Sequence, residues 1–211
     1  MRKIKLAKGE IYHIFNRGVD KRKIFLDQKD INRFFQSMVA FNYIEPVGSL
    51  FEQSFKKEKT KSKPLVRFIA YCLLPNHFHF IFEQLEEEGI SKFMKRLSGG
   101  YSWYFNKKYK RSGALFQGVF KANHIDSNEY LLHASVYVNL NDKQSLGDQV
   151  AKLGKSSWDE YINSKTTNEK ICSGKEVILE QFNSTEDYKI FAKSSLEDIV
   201  LNKERYKDLE K

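Results

Sequence analysis

Two histidines, His77 and His79, lie two positions apart within the apolar segment 70–82. Side chains of an extended strand alternate between its two faces, so both imidazoles would project from one face and could reach the same metal ion. Histidines that only pack at a sheet surface would show the same spacing. The pair is therefore a candidate metal site, and its meaning depends on the elements that position it.

The composition is that of one folded core with an appendage. Of the 211 residues, 41% are hydrophobic and 14% are aromatic, enough to bury a core without disulfides. The two cysteines, Cys72 and Cys172, are typical of reduced thiols rather than of a disulfide framework. No apolar run approaches the roughly 18 residues of a membrane span, and the first residues lack the apolar core of a secretory signal. We therefore expect a cytoplasmic protein.

The positive charge is concentrated in the first 150 residues. The formal net charge is +9, yet residues 151–211 hold 11 Lys and Arg against 12 Asp and Glu. A basic domain rich in aromatic residues suits a polyanion such as single-stranded nucleic acid, although a soluble basic surface without a partner would have the same composition. The lysine-rich run 56–63 predicts an exposed loop, which is either solvated or in contact with phosphates.

The hydrophobic patterns predict the order strand, helix, strand, strand, helix, strand, helix. Strands are expected over residues 10–16, 65–74, 77–82 and 114–126, and helices from residue 27 or 30, from residue 90 and from residue 126 or 127. A kink is expected at Gly99-Gly100 and a β-bulge at Gly118. This order predicts a ferredoxin-like βαββαβ fold of the α+β class, in which a later helix can cover the sheet face left open by the first two helices.

The last of these predicted helices has polar and aromatic residues spaced by four. They are Glu129, His133, Tyr137 and Asn141. Residues four apart share one helical face, which is commonly a solvated side or one that covers a sheet. If this helix lies over the sheet face that bears the two histidines, Tyr137 and Asn141 come within reach of them.

The second predicted helix ends in a basic and aromatic region, here called the 103–111 segment. Its candidate contact residues are Trp103, Tyr104, Lys107, Lys108, Tyr109, Lys110 and Arg111. Cations at a helix C-terminus complement the helix dipole, while cations beside aromatic rings are typical of surfaces that track a nucleic-acid backbone and stack its bases. Both interpretations stay open, and the second makes these residues, together with Arg17, candidate DNA contacts.

Several ordered motifs resemble the single-tyrosine HUH transposases, most closely the REP-associated tyrosine transposases. They are Tyr12-His-Ile-Phe-Asn-Arg-Gly18, Leu74-Pro-Asn-His-Phe-His79, Tyr104-Phe-Asn106, Ser112-Gly-Ala-Leu-Phe-Gln-Gly118 and Tyr137-Val-Asn-Leu-Asn141. The resemblance covers about the first 145 residues. It implies a transposase domain over residues 1–145 and a helical C-terminal extension over residues 146–211 that packs on it.

By this resemblance, His77 and His79 are metal ligands, Asn141 completes the metal site and Tyr137 is the nucleophile. The ion would be Mg²⁺ or Mn²⁺. Tyr137 would cleave single-stranded DNA near a hairpin, leaving a 5′-phosphotyrosine and a free 3′-hydroxyl for strand transfer. His133 is a geometric candidate for accepting the phenol proton.

A different alignment of the tyrosine motif would use Asn139 in place of Asn141, but Ser135 would then stand where the tyrosine belongs, so we reject it. By the resemblance, transposases that consist of the core alone form dimers with exchanged tyrosine helices, whereas those with C-terminal extensions need not. Both a homodimer and a monomer are compatible with the sequence. The alternative functions are a catalytically idle hairpin-binding regulator and a metal-dependent RNase without a tyrosyl intermediate.

Overall fold

The computed structural model describes residues 4–45, 48, 62–144, 153–163 and 170–201. The strands of this part of the chain are β1 (Ile11–Arg17), β2 (Val66–Leu74), β3 (His77–Gln84), β4 (Lys121–Ile125) and β5 (Lys155–Ser156). Its α-helices are α1 (Gln28–Ala40), α2 (Gly89–Lys108), α3 (Asn128–Gln144), α4 (Trp158–Ile162), α5 (Glu176–Leu179) and α6 (Thr185–Leu201). Within these ranges, no helix is long and apolar enough to cross a bilayer.

The strands form one antiparallel sheet in the order β4-β1-β3-β2-β5. The first four strands, together with α1 and α2, follow one another in the βαββαβ order, which confirms the predicted ferredoxin-like α+β fold. Local capping fixes where two helices begin. Asp27 accepts a hydrogen bond from the Asp30 amide at 3.0 Å at the start of α1, and Ser127 accepts one from the Tyr130 amide at 3.2 Å at the start of α3.

The fourth strand is shorter than predicted. Residues 114–120 form a loop that touches the sheet through an isolated bridge between Gly18 and Phe116, and β4 begins only at Lys121. Gly118 has a φ of +70°, a conformation that favours glycine, so it turns this loop instead of forming a bulge within a strand.

Helix α2 is continuous through Gly99 and Gly100, where a kink was predicted. A Cβ atom at Gly100 would lie 3.0 Å from the Phe41 ring, so the glycine allows close packing between the helix and this ring. The predicted lysine-rich loop 56–63 lies outside the described residues except for positions 62 and 63.

The sheet separates two cores. The phenylalanine face, defined by Phe78, Phe80 and Phe82, packs against α1 and α2. The histidine face, defined by His13, His77 and His79, is the opposite side of the same strands, where Ile81 packs against α3 and the C-terminal segments. Strand alternation therefore gives β3 an apolar side and a side that bears imidazoles.

Residues 153–163 and 170–201 complete one edge of the sheet and pack against α3. Strand β5 pairs with β2 through Cys72 and Leu73. The Tyr161 hydroxyl donates to the Ile69 carbonyl at 2.8 Å, which ties α4 to β2. Cys72 and Cys172 are both buried free thiols. This part of the chain thus shares the core of the histidine face.

Candidate active site

The pairing of β1 with β3 brings three imidazoles together. The register sets Phe15 opposite His79 and Arg17 opposite His77, so His13 projects from the same face. The His77 and His79 ring centroids are 5.1 Å apart, and those of His13 and His79 are 5.2 Å apart. His13 and His79 are buried and His77 is half-buried. The predicted pair is therefore part of a row of three histidines.

Burial favours the uncharged form of each imidazole. It lowers the pKa of His13 to about 3 and, with the positive charge of Arg17, lowers the pKa of His77 to about 4. Burial and the two neighbouring imidazoles lower the pKa of His79 well below its usual range. At neutral pH each ring therefore has one nitrogen lone pair available for a hydrogen bond or a metal.

Both histidines of the predicted pair are held through Nδ1. The Nδ1 atom of His77 lies 2.6 Å from the Asn76 side-chain oxygen, and the Asn76 amide nitrogen donates to the Lys21 carbonyl at 3.5 Å. The Nδ1 atom of His79 lies 3.0 Å from Nε2 of His13. A hydrogen bond at Nδ1 fixes the orientation of the ring and leaves Nε2 as the atom that can meet a ligand.

Helix α3 lies over the histidine face and places Tyr137 against the imidazoles. The Tyr137 ring is nearly perpendicular to the His79 ring, with centroids 5.4 Å apart, and its centroid lies 6.3 Å from that of His13. The Tyr137 side chain is only 5% exposed. One helical turn further on, Asn141 is buried, and its amide nitrogen has no hydrogen-bond partner within the described ranges. An unpaired buried amide is unfavourable, which makes Asn141 a candidate for contacting an external group.

Other polar residues of α3 hold the C-terminal segment. The Asn139 amide nitrogen donates to the Tyr188 hydroxyl at 3.0 Å, and the Ser157 hydroxyl donates to the Asn139 oxygen. The Ser135 hydroxyl lies 3.4 Å from that of Tyr188. The rejected alignment of the tyrosine motif would thus assign chemistry to residues that link α3 to the start of α4 and to α6.

His133 lies one turn before Tyr137 on the same helix. Its ring centroid is 5.9 Å from that of Phe191 in α6, so the imidazole borders the C-terminal segment. Glu129, a further turn earlier, is exposed. The role of His133 as a proton acceptor stays a prediction.

Part of the 103–111 segment has a structural role. The Lys108 ammonium lies 2.8 Å from the Asp27 carboxylate and 2.7 Å from that of the buried Asp30. The hydroxyls of Tyr104 and Tyr109 donate to Asp30 at 3.3 Å and 2.7 Å. Burial opposes the charge of Lys108, but the hydrogen bonds to both carboxylates outweigh it and raise the pKa of this lysine above its ordinary value. These side chains join the C-terminus of α2 to the N-terminus of α1.

Other members of the segment face solvent. Trp103 is 63% exposed, and the Lys107 ammonium lies 4.9 Å from its ring centroid. Lys110 is exposed, and Arg111 donates to the Asn106 side-chain oxygen at 2.8 Å. Because α2 packs on the phenylalanine face, the segment and the three imidazoles lie on opposite faces of the sheet.

Arg17 is the predicted DNA contact that lies close to the imidazoles. It is exposed at the end of β1, opposite His77, and its guanidinium donates to the Gln117 side chain. On the same face, the Lys121 ammonium lies 5.9 Å from the Phe15 ring centroid. Positive charge therefore borders the histidine face at this end of the sheet.

His13 is the site residue that sequence reasoning missed. It belongs to the motif Tyr12-His-Ile-Phe-Asn-Arg-Gly18, but the motif does not show which face of β1 meets which residues of β3. The register of the two strands supplies this information. The only signal in the sequence is a histidine at an alternate position of a strand that a ferredoxin-like order places beside β3.

The chain belongs to the IS200-like transposase family, because the family model matches residues 11–141. This confirms the predicted family. No curated protein matches the sequence. Among solved structures, the chain is similar to a REP-associated tyrosine transposase bound to a REP hairpin, with 14% identity, a TM-score of 0.47, and coverage of 77% of this chain and 84% of that chain.

Proposed function

We propose that this protein cleaves single-stranded DNA near a hairpin and transfers the cut strand through a 5′-phosphotyrosine on Tyr137. Membership of a transposase family makes DNA the substrate class. The observation that carries the proposal is the packing of the Tyr137 ring against His79, with centroids 5.4 Å apart, on a face where His13 and His79 are buried and His77 is half-buried. A tyrosine beside a candidate metal pair can supply both the nucleophile and the Lewis acid for covalent phosphodiester cleavage.

The donor groups fit a divalent cation. His77 and His79 are neutral imidazoles whose Nδ1 atoms are engaged, which leaves Nε2 of each ring for the ion. Within the described ranges, no three His, Cys, Asp or Glu side chains form a metal cluster. We therefore assign the third position to the amide of Asn141. When bound, Mg²⁺ or Mn²⁺ would supply Lewis-acid polarisation of the scissile phosphate.

In the proposed reaction, the Tyr137 hydroxyl oxygen attacks phosphorus while the bond from phosphorus to the 3′ oxygen breaks. The phenol proton leaves for His133 or water, and the departing 3′ oxygen takes up a proton. One phosphodiester replaces another, so a 3′-hydroxyl can reverse the step and join a new strand. Burial of Tyr137 and His79 limits the water that would otherwise hydrolyse the intermediate.

The DNA contacts we propose are the exposed Arg17, Trp103, Lys107 and Lys110, together with the half-buried Arg111. Arg17 borders the histidine face, while Trp103, Lys107, Lys110 and Arg111 lie on the other side of the sheet. Lys108, Tyr104 and Tyr109 would support this surface indirectly, by holding the end of α2 on α1. A strand would then pass around the end of the sheet from the 103–111 segment to Tyr137.

We further propose that residues 1–145 carry the chemistry and that residues 146–211 hold the tyrosine helix in place. Hydrogen bonds from Asn139 to Tyr188 and from Ser157 to Asn139 support this division of roles. The contact of Tyr137 with His79 of the same chain supports a site completed within one chain. We therefore expect a monomer to be active.

The test is an adduct assay with labelled single-stranded hairpin oligonucleotides and Mg²⁺ or Mn²⁺, resolved on a denaturing gel. We expect a covalent protein–DNA adduct that is lost in Tyr137→Phe and kept in Tyr130→Phe, a matched change on the same helix. Hairpin binding without any adduct would identify a binding regulator instead. Cleavage that survives Tyr137→Phe, especially of RNA, would identify a metal-dependent nuclease that uses water as its nucleophile.

A further inference from the structure

We propose that His13 is a positioning residue that holds His79 in the tautomer with the proton on Nδ1, and so directs Nε2 of His79 toward the metal. The inference rests on the proposed function, because it concerns how the candidate metal pair is prepared. It assigns a role to a residue that does not itself touch the ion.

The contact between the two rings is a hydrogen bond along their edges. Nε2 of His13 lies 3.0 Å from Nδ1 of His79, and the ring planes differ by 17°. The centroids are 5.2 Å apart, as expected when the hydrogen bond lies in both ring planes and continues the line between the ring centres. Such alignment gives a strong hydrogen bond between neutral imidazoles.

Only one of the two possible proton arrangements leaves His79 with an Nε2 lone pair that can bind a metal. If His13 donated from Nε2, the His79 proton would have to sit on Nε2, and that atom could not bind a metal. If His79 donates from Nδ1, its Nε2 keeps a lone pair, and His13 carries its own proton on Nδ1. The metal-competent state therefore has both rings protonated on Nδ1.

His77 is prepared in the same way by a different residue. Its Nδ1 lies 2.6 Å from the oxygen of Asn76, which can only accept a hydrogen bond. The turn between β2 and β3 thus supplies the acceptor for one histidine, and β1 supplies the acceptor for the other. Two independent acceptors that act on Nδ1 of two neighbouring rings would set the same tautomer in both.

The surroundings fix His13 in place. It is completely buried, and the Phe15 ring lies 5.0 Å from the His13 centroid and 5.7 Å from that of His79. Its Nδ1 has no hydrogen-bond partner in the described part of the chain. If position 13 served the fold alone, an apolar residue would stabilise the protein more than histidine does, because a buried unpaired nitrogen destabilises the fold.

The first test is the tautomeric state, read from the imidazole ¹⁵N shifts of labelled protein with saturating Mg²⁺. We expect His13, His77 and His79 all to carry the proton on Nδ1, which is the minor tautomer of a free imidazole. A proton on Nε2 of His13 would overturn the inference. This measurement uses the unmodified protein and does not depend on how a variant folds.

The second test is Mn²⁺ affinity, measured by titration calorimetry on the full chain. His13→Phe fills the space but removes the acceptor, so we expect affinity to fall roughly 10- to 100-fold, as is typical when a residue behind a metal ligand is lost. His13→Gln offers an oxygen acceptor and should restore most of it. The control is His124→Gln, whose parent imidazole packs beside Tyr12 away from the site and should leave affinity unchanged.

Equal Mn²⁺ affinity in His13→Phe and the unmodified protein would refute the positioning role, while adduct formation by both would leave the proposed function standing. If the unmodified protein binds no Mn²⁺, the proposed metal site fails and the inference fails with it. Loss of affinity in His13→Phe without rescue by His13→Gln would indicate that packing, not the hydrogen bond, is what matters.

Discussion

The two faces of the central strand β3 show how one segment can serve two purposes. On one face, Phe78, Phe80 and Phe82 stack at centroid spacings of 4.8 Å and 4.9 Å and are completely buried. On the other face, His79 is buried beside Tyr137, and the half-buried His77 lies next to it. Burial of apolar rings stabilises the fold, whereas burial of imidazoles requires hydrogen bonds merely to offset the loss of solvation.

The comparison indicates that the fold gives up stability on the histidine face, where the proposed chemistry takes place. Leucine and phenylalanine side chains on this face would pack more easily than the three imidazoles and the unpaired amide do. The stability supplied by the phenylalanine face offsets this cost. Helix α3 covers the histidine face and limits its contact with water. Polar groups that are buried at a cost in stability are found mainly at functional sites.

The sharpest contrast is between Phe80→Ala and His79→Leu. Phe80→Ala should lower the free energy of unfolding by about 3–5 kcal/mol, because it opens a cavity in the apolar core. His79→Leu should change it by less than about 1 kcal/mol, because new apolar burial roughly offsets the lost partner of His13. Urea unfolding measures both.

For adduct formation, His79→Leu should have the larger effect and Phe80→Ala the smaller. At a temperature where each variant is folded, His79→Leu should lose adduct formation by roughly 100-fold or more, because it removes a proposed metal ligand. Phe80→Ala should retain it. A stable His79→Leu protein with full activity would show that the histidine face is structural.

The pH dependence of stability in metal-free protein should come mainly from the histidine face. The pKa values of His13 and His77 are lowered from 6.5 to about 3 and about 4, so the unfolded chain binds protons that the folded protein does not. Stability is therefore unaffected above about pH 7 and falls as the pH drops from 6.5 toward 4, by up to about 1.4 kcal/mol per pH unit for each histidine. Thermal unfolding scans from pH 8 to pH 4 measure this slope. His77→Phe should reduce this slope, and an unchanged slope would contradict the assignment of the pH dependence to the histidine face.

Two neighbouring lysines of the 103–111 segment, Lys107 and Lys108, should differ in their contribution to stability. Lys108→Met leaves the buried Asp30 carboxylate without its cation and should destabilise the protein by about 1–3 kcal/mol. Lys107→Met removes an exposed charge and should leave stability unchanged within about 0.5 kcal/mol. Chemical denaturation compares the two, and equal effects would show that the ion pair contributes nothing.

The smallest expected effect concerns DNA affinity. Trp103→Ala should weaken binding of a single-stranded hairpin roughly 10-fold, since stacking on an exposed ring contributes about 1–3 kcal/mol per base. Fluorescence anisotropy at fixed salt measures the change. Ile190→Ala, another exposed apolar residue but on α6, serves as the control. Unchanged affinity in Trp103→Ala would remove the 103–111 segment from the DNA path.

Much of this fold can be predicted from local patterns. Apolar spacing and the caps Asp27 and Ser127 locate the helices, and the order of elements gives the sheet. The fourth strand was predicted too long because apolar residues such as Val119 and Phe120 resemble a strand, whereas Gly113 and Gly118 take positive φ values and form a loop. The two-residue strand β5 is too short to leave a pattern.

The parts of the site that escaped prediction depend on distant pairing. His79 and Tyr137 belong to motifs that the sequence displays, but His13 joins them only through the register of β1 on β3. Lys108 looks like a DNA contact until the fold brings Asp30, 78 positions earlier, to its ammonium group. Residues of these kinds are defined by tertiary neighbours, which local spacing does not encode.

Mass spectrometry can test whether Tyr137 is the nucleophile by locating the residue to which DNA becomes attached. The hairpin adduct would be digested with nuclease and protease, and the peptide that carries the residual nucleotide would be sequenced. We predict a nucleotide linked through its 5′ phosphate to Tyr137. Attachment to any other residue, or strand cleavage with no attached nucleotide, would contradict the proposal that the tyrosine on α3 is the nucleophile of the histidine face.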